Sequence, residues 1–137
     1  MPRHKRSRLI LDPPVIKGMS VMGRSKRGSE KIDLFLEEYQ AIKLLDYDGM
    51  TQEEAAGHMN VSRPTITRVY ETARQKVARA LTEGKDLVIS GGKYHFDESW
   101  FCCLSCKTTF RLEKGSDKIC PECNSSEVAS LNECHSC

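Results

Sequence analysis

The chain has no cysteine before residue 102, only one tryptophan and five prolines in 137 residues, and no long apolar run. Each scarcity excludes something. A membrane helix needs about 20 largely apolar residues in succession, and no segment comes near that, so no membrane partner is expected. The N-terminus is basic but is not followed by the apolar stretch of a signal peptide, which points to the cytoplasm. There is no glycine-rich phosphate loop, no nucleophile–base constellation and no metal set with an evident open position, so an enzyme is not expected. A formal net charge of +2 is too small to argue for a polyanionic partner by itself.

The distribution of charge is more telling than its sum. Residues 1–31 carry nine lysines and arginines against Asp12 and Glu30, residues 32–58 are acidic, and residues 62–85 turn basic again. Such asymmetry can orient a protein on a polyanion. The sequence divides into a basic arm (1–12), a helical domain with flanking strands (13–96) and a cysteine-rich module (97–137). The expected fold is mainly α, a helix-turn-helix domain with short β-strands, followed by a zinc-ribbon-like unit. Strands are expected over 15–22 and 30–34, and a strand, glycine turn and second strand over 86–96. The first helix should span Leu36 to Leu45, with Tyr39, Ile42 and Leu45 facing inward and Glu37 and Glu38 in the first turn, where the helix dipole favours anions.

The strongest local signal lies between Thr51 and Tyr70. Thr51 is placed to cap a helix, and Glu54 completes a capping box three residues later. Ala55, Ala56 and Met59 form the inner face of that helix. Asn60 stands where a turn needs a left-handed backbone, and Val61 plugs it. Ser62 caps the next helix and Pro64 sits near its start, where no N–H is required. Ile66, Val69, Ala73, Val77 and Ala80 continue at helical spacing to Glu83, and Gly84 closes the helix. This pattern predicts a helix-turn-helix whose second helix, 63–83, enters a DNA major groove. Its outer face offers Ser62, Arg63, Pro64, Thr65, Thr67, Arg68 and Glu71. Arginine can donate a bidentate pair to guanine, and threonine can touch phosphate or a thymine methyl. Arg74, Lys76 and Arg79 lie further along as phosphate contacts. Arg3, Lys5 and Arg6 of the arm could reach a minor groove. His58 falls on the exposed side of the first helix of the pair.

Leu36-Glu-Glu-Tyr-Gln-Ala-Ile-Lys-Leu-Leu-Asp46, Gln52-Glu-Glu-Ala-Ala56, Val61-Ser-Arg-Pro-Thr65, Ala73-Arg74 and Leu81-Thr-Glu-Gly-Lys85 resemble the prokaryotic family called domain of unknown function 134. The resemblance covers about residues 1–96. It implies a predicted DNA-binding protein whose helical part is similar to region 4 of sigma factors, and hence a role in transcription. Phe35 departs from the family's preference for a hydroxyl residue capping the first helix.

Six of the seven cysteines form three Cys-x-x-Cys pairs. This spacing and the odd total favour metal thiolates over a secreted disulfide scaffold. Cys103, Cys106, Cys120 and Cys123 make two knuckles separated by 13 residues, the ligand set of a tetrahedral zinc site. The module resembles a zinc ribbon, and Cys-Pro-x-Cys is a common second knuckle there. Lys107 and Asn124 replace the usual glycine after each knuckle. Rubredoxin uses similar knuckles for iron, which keeps iron open beside zinc. Trp100, Phe101 and Phe110 could pack around the site. Cys134-His-Ser-Cys137, with Cys102 or with His95 or His135, could complete a second metal site; it could also be a redox-active pair or a frayed tail.

The leading expectation is a sequence-specific DNA-binding regulator acting as a homodimer on double-stranded DNA, because one helix-turn-helix covers only a half-site. The alternatives are a metal- or redox-responsive switch and a sigma-like adaptor that docks on RNA polymerase.

Overall fold

The computed structural model describes residues 8–23, 30–92 and 94–134. Two compact units, Met1–Tyr94 and His95–Cys137, make up the chain. The described residues of the first hold three α-helices and strands, and those of the second hold short strands around a cysteine cluster. The architecture is therefore α+β, not mainly α.

The first unit opens with Arg8–Ile10 (β1). Arg8 and Ile10, which fall within the expected arm, are both buried in this strand, and Arg3, Lys5 and Arg6 lie outside the described residues. The strand expected over 15–22 shortens to Gly18–Met19 (β2), and Val15 and Met22 are almost fully exposed. Lys31–Leu34 (β3) alternates exposed and buried residues as a half-buried strand should. Asp86–Ile89 (β4) lies between the two. It runs parallel to β3, with Lys31 opposite Asp86 and Leu34 opposite Ile89, and antiparallel to β2, with Gly18 opposite Val88. Gly18 is required there, because a Cβ would collide with the Leu87 carbonyl oxygen. The second strand expected near 96, Tyr94–Phe96 (β5), does form, but in a different sheet from β4.

The first helix, Leu36–Ile42 (α1), runs into a π-helical turn over Lys43–Tyr47, where Asp48 N–H donates to the Lys43 carbonyl at 2.8 Å. Phe35 offers no side-chain acceptor at its start. Glu38 instead reaches back to accept from the Phe35 N–H at 2.8 Å. The buried face is Leu36, Gln40, Ala41 and Leu44, whereas Tyr39, Ile42 and Leu45 are half-buried. The helix is thus turned by one residue, about 100°, from the expected orientation. With this orientation go two ion pairs, one buried and one partly buried. Arg8 Nε lies 2.9 Å from Glu37 Oε2, and Lys76 Nζ lies 2.7 Å from Glu38 Oε1. The two glutamates face inward to long-range cations and do not sit on a solvated first turn.

Gln52–Met59 (α2) and Arg63–Glu83 (α3) follow the sequence signals closely. The Thr51 hydroxyl accepts from Glu54 N–H at 3.2 Å and donates to the Glu54 carboxylate at 3.0 Å, so the glutamate engages the cap through its hydroxyl. Asn60 adopts φ 56° and ψ 45°. Ser62 Oγ accepts from Thr65 N–H at 3.3 Å. Each such cap contributes about 1 kcal/mol. Ala41, Leu44, Ala55, Ala56, Met59 and Ile66 form the core, closed over by Val61, Val69 and Tyr70 among others.

Gln40 is fully buried, and neither its amide nitrogen nor its carbonyl oxygen meets a hydrogen-bonding partner among the described residues. A buried amide without partners costs roughly 1–3 kcal/mol. Gln40→Met, which keeps the volume, is therefore expected to stabilise the helical unit by about 1 kcal/mol. A urea midpoint that falls in this variant would contradict the assignment.

In the second unit, Trp100–Cys103 (β6) is the central strand of a three-stranded antiparallel sheet between Thr109–Arg111 (β7) and Val128–Ser130 (β8). Phe101 is registered with Phe110 on one side and Ser130 on the other. Phe110 packs with Cys103 and Cys120, joined by Phe101, Leu112 and Val128. Trp100 is turned toward Arg111, whose guanidinium lies 5.6 Å from its ring centre, and takes no part in this cluster.

Candidate metal centre and the exposed face of the long helix

Cys103 ends β6, and Cys106 follows in the turn; Cys120 and Cys123 form a second turn between β7 and β8. The two knuckles repeat one hydrogen-bond scheme. Cys103 N–H donates to the Thr108 carbonyl and Cys120 N–H to the Ser125 carbonyl, each at 2.9 Å. Lys107 N–H returns to the Cys103 carbonyl and Asn124 N–H to the Cys120 carbonyl, also at 2.9 Å. Lys107 and Asn124 adopt φ 65° and 60°, the left-handed turn that glycine would occupy more freely. Their departure from glycine is accommodated without changing the knuckle.

The four sulfurs lie within 4.8 Å of one another. Cys103 Sγ is 3.5 Å from Cys123 Sγ, and Cys106 Sγ is 3.6 Å from Cys120 Sγ. A tetrahedron with metal–sulfur bonds of about 2.3 Å has edges of about 3.8 Å, so the arrangement fits a metal ion such as zinc. Cys103 and Cys120 are buried, whereas Cys106 and Cys123 are exposed. Hydrogen bonds from the Thr108 backbone N–H and hydroxyl hold the Cys106 thiol down at about 6. At Cys123 the Ser125 N–H favours the thiolate, but the Cys103 thiol, desolvation and the other two thiols outweigh it and push the group up to about 12. Four sulfurs this close cannot all ionise without a cation among them.

Cys102 and Cys103 are adjacent on β6, so their side chains leave opposite faces of the sheet. This decides between them: Cys103 joins the four-sulfur cluster, and Cys102 is disulfide-bonded to Cys134. No second metal-ligand cluster occurs among the described residues. Cys137 and His135 lie outside them.

On α3, Arg63, Pro64, Arg68 and Glu71 are exposed with Ser62, and Thr65 is half-buried. Thr67 is tied inward: its hydroxyl lies 2.6 Å from Gln52 Oε1 and 3.0 Å from the Arg63 carbonyl oxygen. Gln52 thus braces α2 against α3, a role sequence reasoning missed because the pair is fifteen residues apart. Lys76 is likewise removed from the set of free cations by Glu38 and by the Phe35 ring 4.0 Å away. Arg74 lies over Tyr70 and remains largely exposed, and Arg79 pairs with Glu83 at 3.0 Å. No helix among the described residues is long and apolar enough to cross a membrane.

Residues 1–97 match the family model described as protein of unknown function DUF134. Relatives extend beyond that segment. A UPF0251 protein of Clostridium novyi is 38% identical across the whole chain and 94% of its own length. One from Caldicellulosiruptor bescii is 44% identical over 78% of this chain and 71% of its own length. A third, from Methanothermobacter thermautotrophicus, is 34% identical over 93% of this chain and 67% of its own length. No solved structure matches the chain. The family match over most of the chain and the identity along all of it establish that this protein belongs to the DUF134 family.

Proposed function

We propose that the protein is a sequence-specific DNA-binding regulator of transcription. In this reading α2 and α3 act as a helix-turn-helix, and the N-terminal half of α3 enters the major groove. The observation that carries the reading is the exposed placement of Arg63 and Arg68, without an ion-pair partner among the described residues, on the first turns of a helix braced from behind by Gln52 and Thr67. Arg63 and Arg68 would choose bases, and Arg74 would contact phosphate. A homodimer would place two such helices on a two-fold site of double-stranded DNA. Zinc held by Cys103, Cys106, Cys120 and Cys123 would have a structural role, since four thiolates leave a tetrahedral ion no open position.

Selection from a random duplex library, with and without a zinc chelator, tests this. Enrichment of a palindromic site is expected. An Arg63→Ala/Arg68→Ala variant should lose the preference, at about 1–3 kcal/mol per arginine. A folded protein that enriches no sequence would overturn the regulator reading and favour docking on RNA polymerase.

A further inference from the structure

Among the described residues, all four cysteines of the metal-ligand cluster lie between Cys102 and Cys134. The disulfide closes a segment of sequence separation 32, and Cys103, Cys106, Cys120 and Cys123 all fall inside it. Its two ends meet on the strand that carries the first ligand. Cys102 is fully buried in the middle of β6, registered with Ala129 of β8. Beyond β8 the chain turns back. Leu131 N–H donates to the Trp100 carbonyl, and Cys134 N–H donates to the Ser130 carbonyl, each at 3.0 Å. Leu131 is buried by this turn, and Cys134 remains half-buried.

We infer that Cys102 and Cys134 are a thiol-redox latch on the metal centre. The inference rests on the four-thiolate reading but is independent of DNA binding. Closing the chain around the ligands removes conformations from the metal-free state, so the oxidised chain holds its ion more firmly than the reduced one. The chemistry separates the six described cysteines cleanly. Four thiolates are shielded by the ion, and the remaining pair, on the opposite face of β6, is left to exchange.

The step is ordinary thiol–disulfide exchange with a dithiol reductant. One thiolate of the reductant attacks Cys134 Sγ, which is more accessible than fully buried Cys102. The Cys134–Cys102 bond breaks, and Cys102 leaves as a thiolate and takes up a proton. The second reductant thiolate then displaces Cys134 from the mixed disulfide. The reductant ends as a disulfide, and both protein cysteines end as thiols. The turn after β8 is then no longer held to β6.

The test uses the full chain loaded with zinc. Alkylation and peptide mapping report the state of each cysteine before and after a thioredoxin-type dithiol. Zinc transfer to a chromogenic chelator reports retention in each state. We expect Cys102 and Cys134 to be linked in the oxidised chain, and zinc release to quicken on the order of 10²-fold on reduction. A Cys102→Ala/Cys134→Ala variant should release zinc at the reduced rate whether or not the dithiol is present. Equal release in both wild-type states, or Cys102 and Cys134 free after oxidation, would overturn the latch alone. A chain that binds no zinc in either state would overturn the latch together with the metal reading.

Discussion

Cys103→Ser, assayed under reducing conditions, is expected to unfold the cysteine unit and leave the helical unit standing. The second unit has few resources of its own. Its described strands are three or four residues long, and its buried apolar cluster centres on Phe110 and two of the cysteines. Units of this size rarely hold together without a metal, a disulfide or a partner. Binding of a structural zinc supplies about 10–16 kcal/mol, far more than such a core can. Serine at position 103 removes a buried sulfur ligand at the end of the central strand, where the cluster meets the sheet. The protein provides its own reporter: the sole tryptophan, Trp100, begins β6. Its emission should move to the red in the variant, and in the wild type after chelation. Far-ultraviolet circular dichroism, dominated by α1, α2 and α3, should change little. Emission indifferent to both treatments would show that no metal organises the unit.

Arg8→Ala should destabilise the helical unit by about 3–5 kcal/mol. The Arg8 and Glu37 side chains are 8% and 9% exposed, so removing the cation strands a carboxylate out of water. The penalty comes mostly from that stranded charge, not from the attraction lost. Arg8→Met/Glu37→Leu should therefore recover much of the loss, and urea unfolding of the two single variants and the double gives the coupling directly. A single-variant loss below about 1 kcal/mol would place the pair among surface ion pairs. The Lys76–Glu38 pair obeys the same logic in weaker form, because Lys76 keeps 22% of its side chain in solvent.

Where structure depends on neighbours in the chain, the sequence was a dependable guide. The caps at Thr51 and Ser62 and the left-handed Asn60 and Gly84 rest on contacts a few residues apart, and the inner face of α3 follows the helical period of its own residues. The Cys-x-x-Cys spacing belongs to the same class, since each knuckle closes its own turn. The misreadings involve distance. Glu37 and Glu38 do stand in the first turn as expected, but the sequence did not show their partners, an arginine on a strand before the helix and a lysine two helices later. No local period records such pairs. Thr67 and Lys76 looked free to meet DNA for the same reason. The choice between Cys102 and Cys103 was legible in principle: adjacent residues on a strand face opposite ways, so only one could join the knuckle. The expected grouping of Cys102 with Cys134 is met by a disulfide between them, and not by a second metal cluster among the described residues.

The parallel pairing of β3 with β4 governs how the helical unit forms. The two strands stand on either side of the three described helices, so pairing them closes a long loop. Loop-closure entropy has to be met before that pairing returns any stabilisation. The α2–α3 corner, made from near neighbours, has no such delay. Folding should therefore proceed from the corner outward, with the β3–β4 seam the last to close and the slow step of the process. During that interval Ile32, Leu34, Leu87 and Ile89 lie open together with two unpaired strand edges, which makes the seam the point at which an unfinished chain would aggregate.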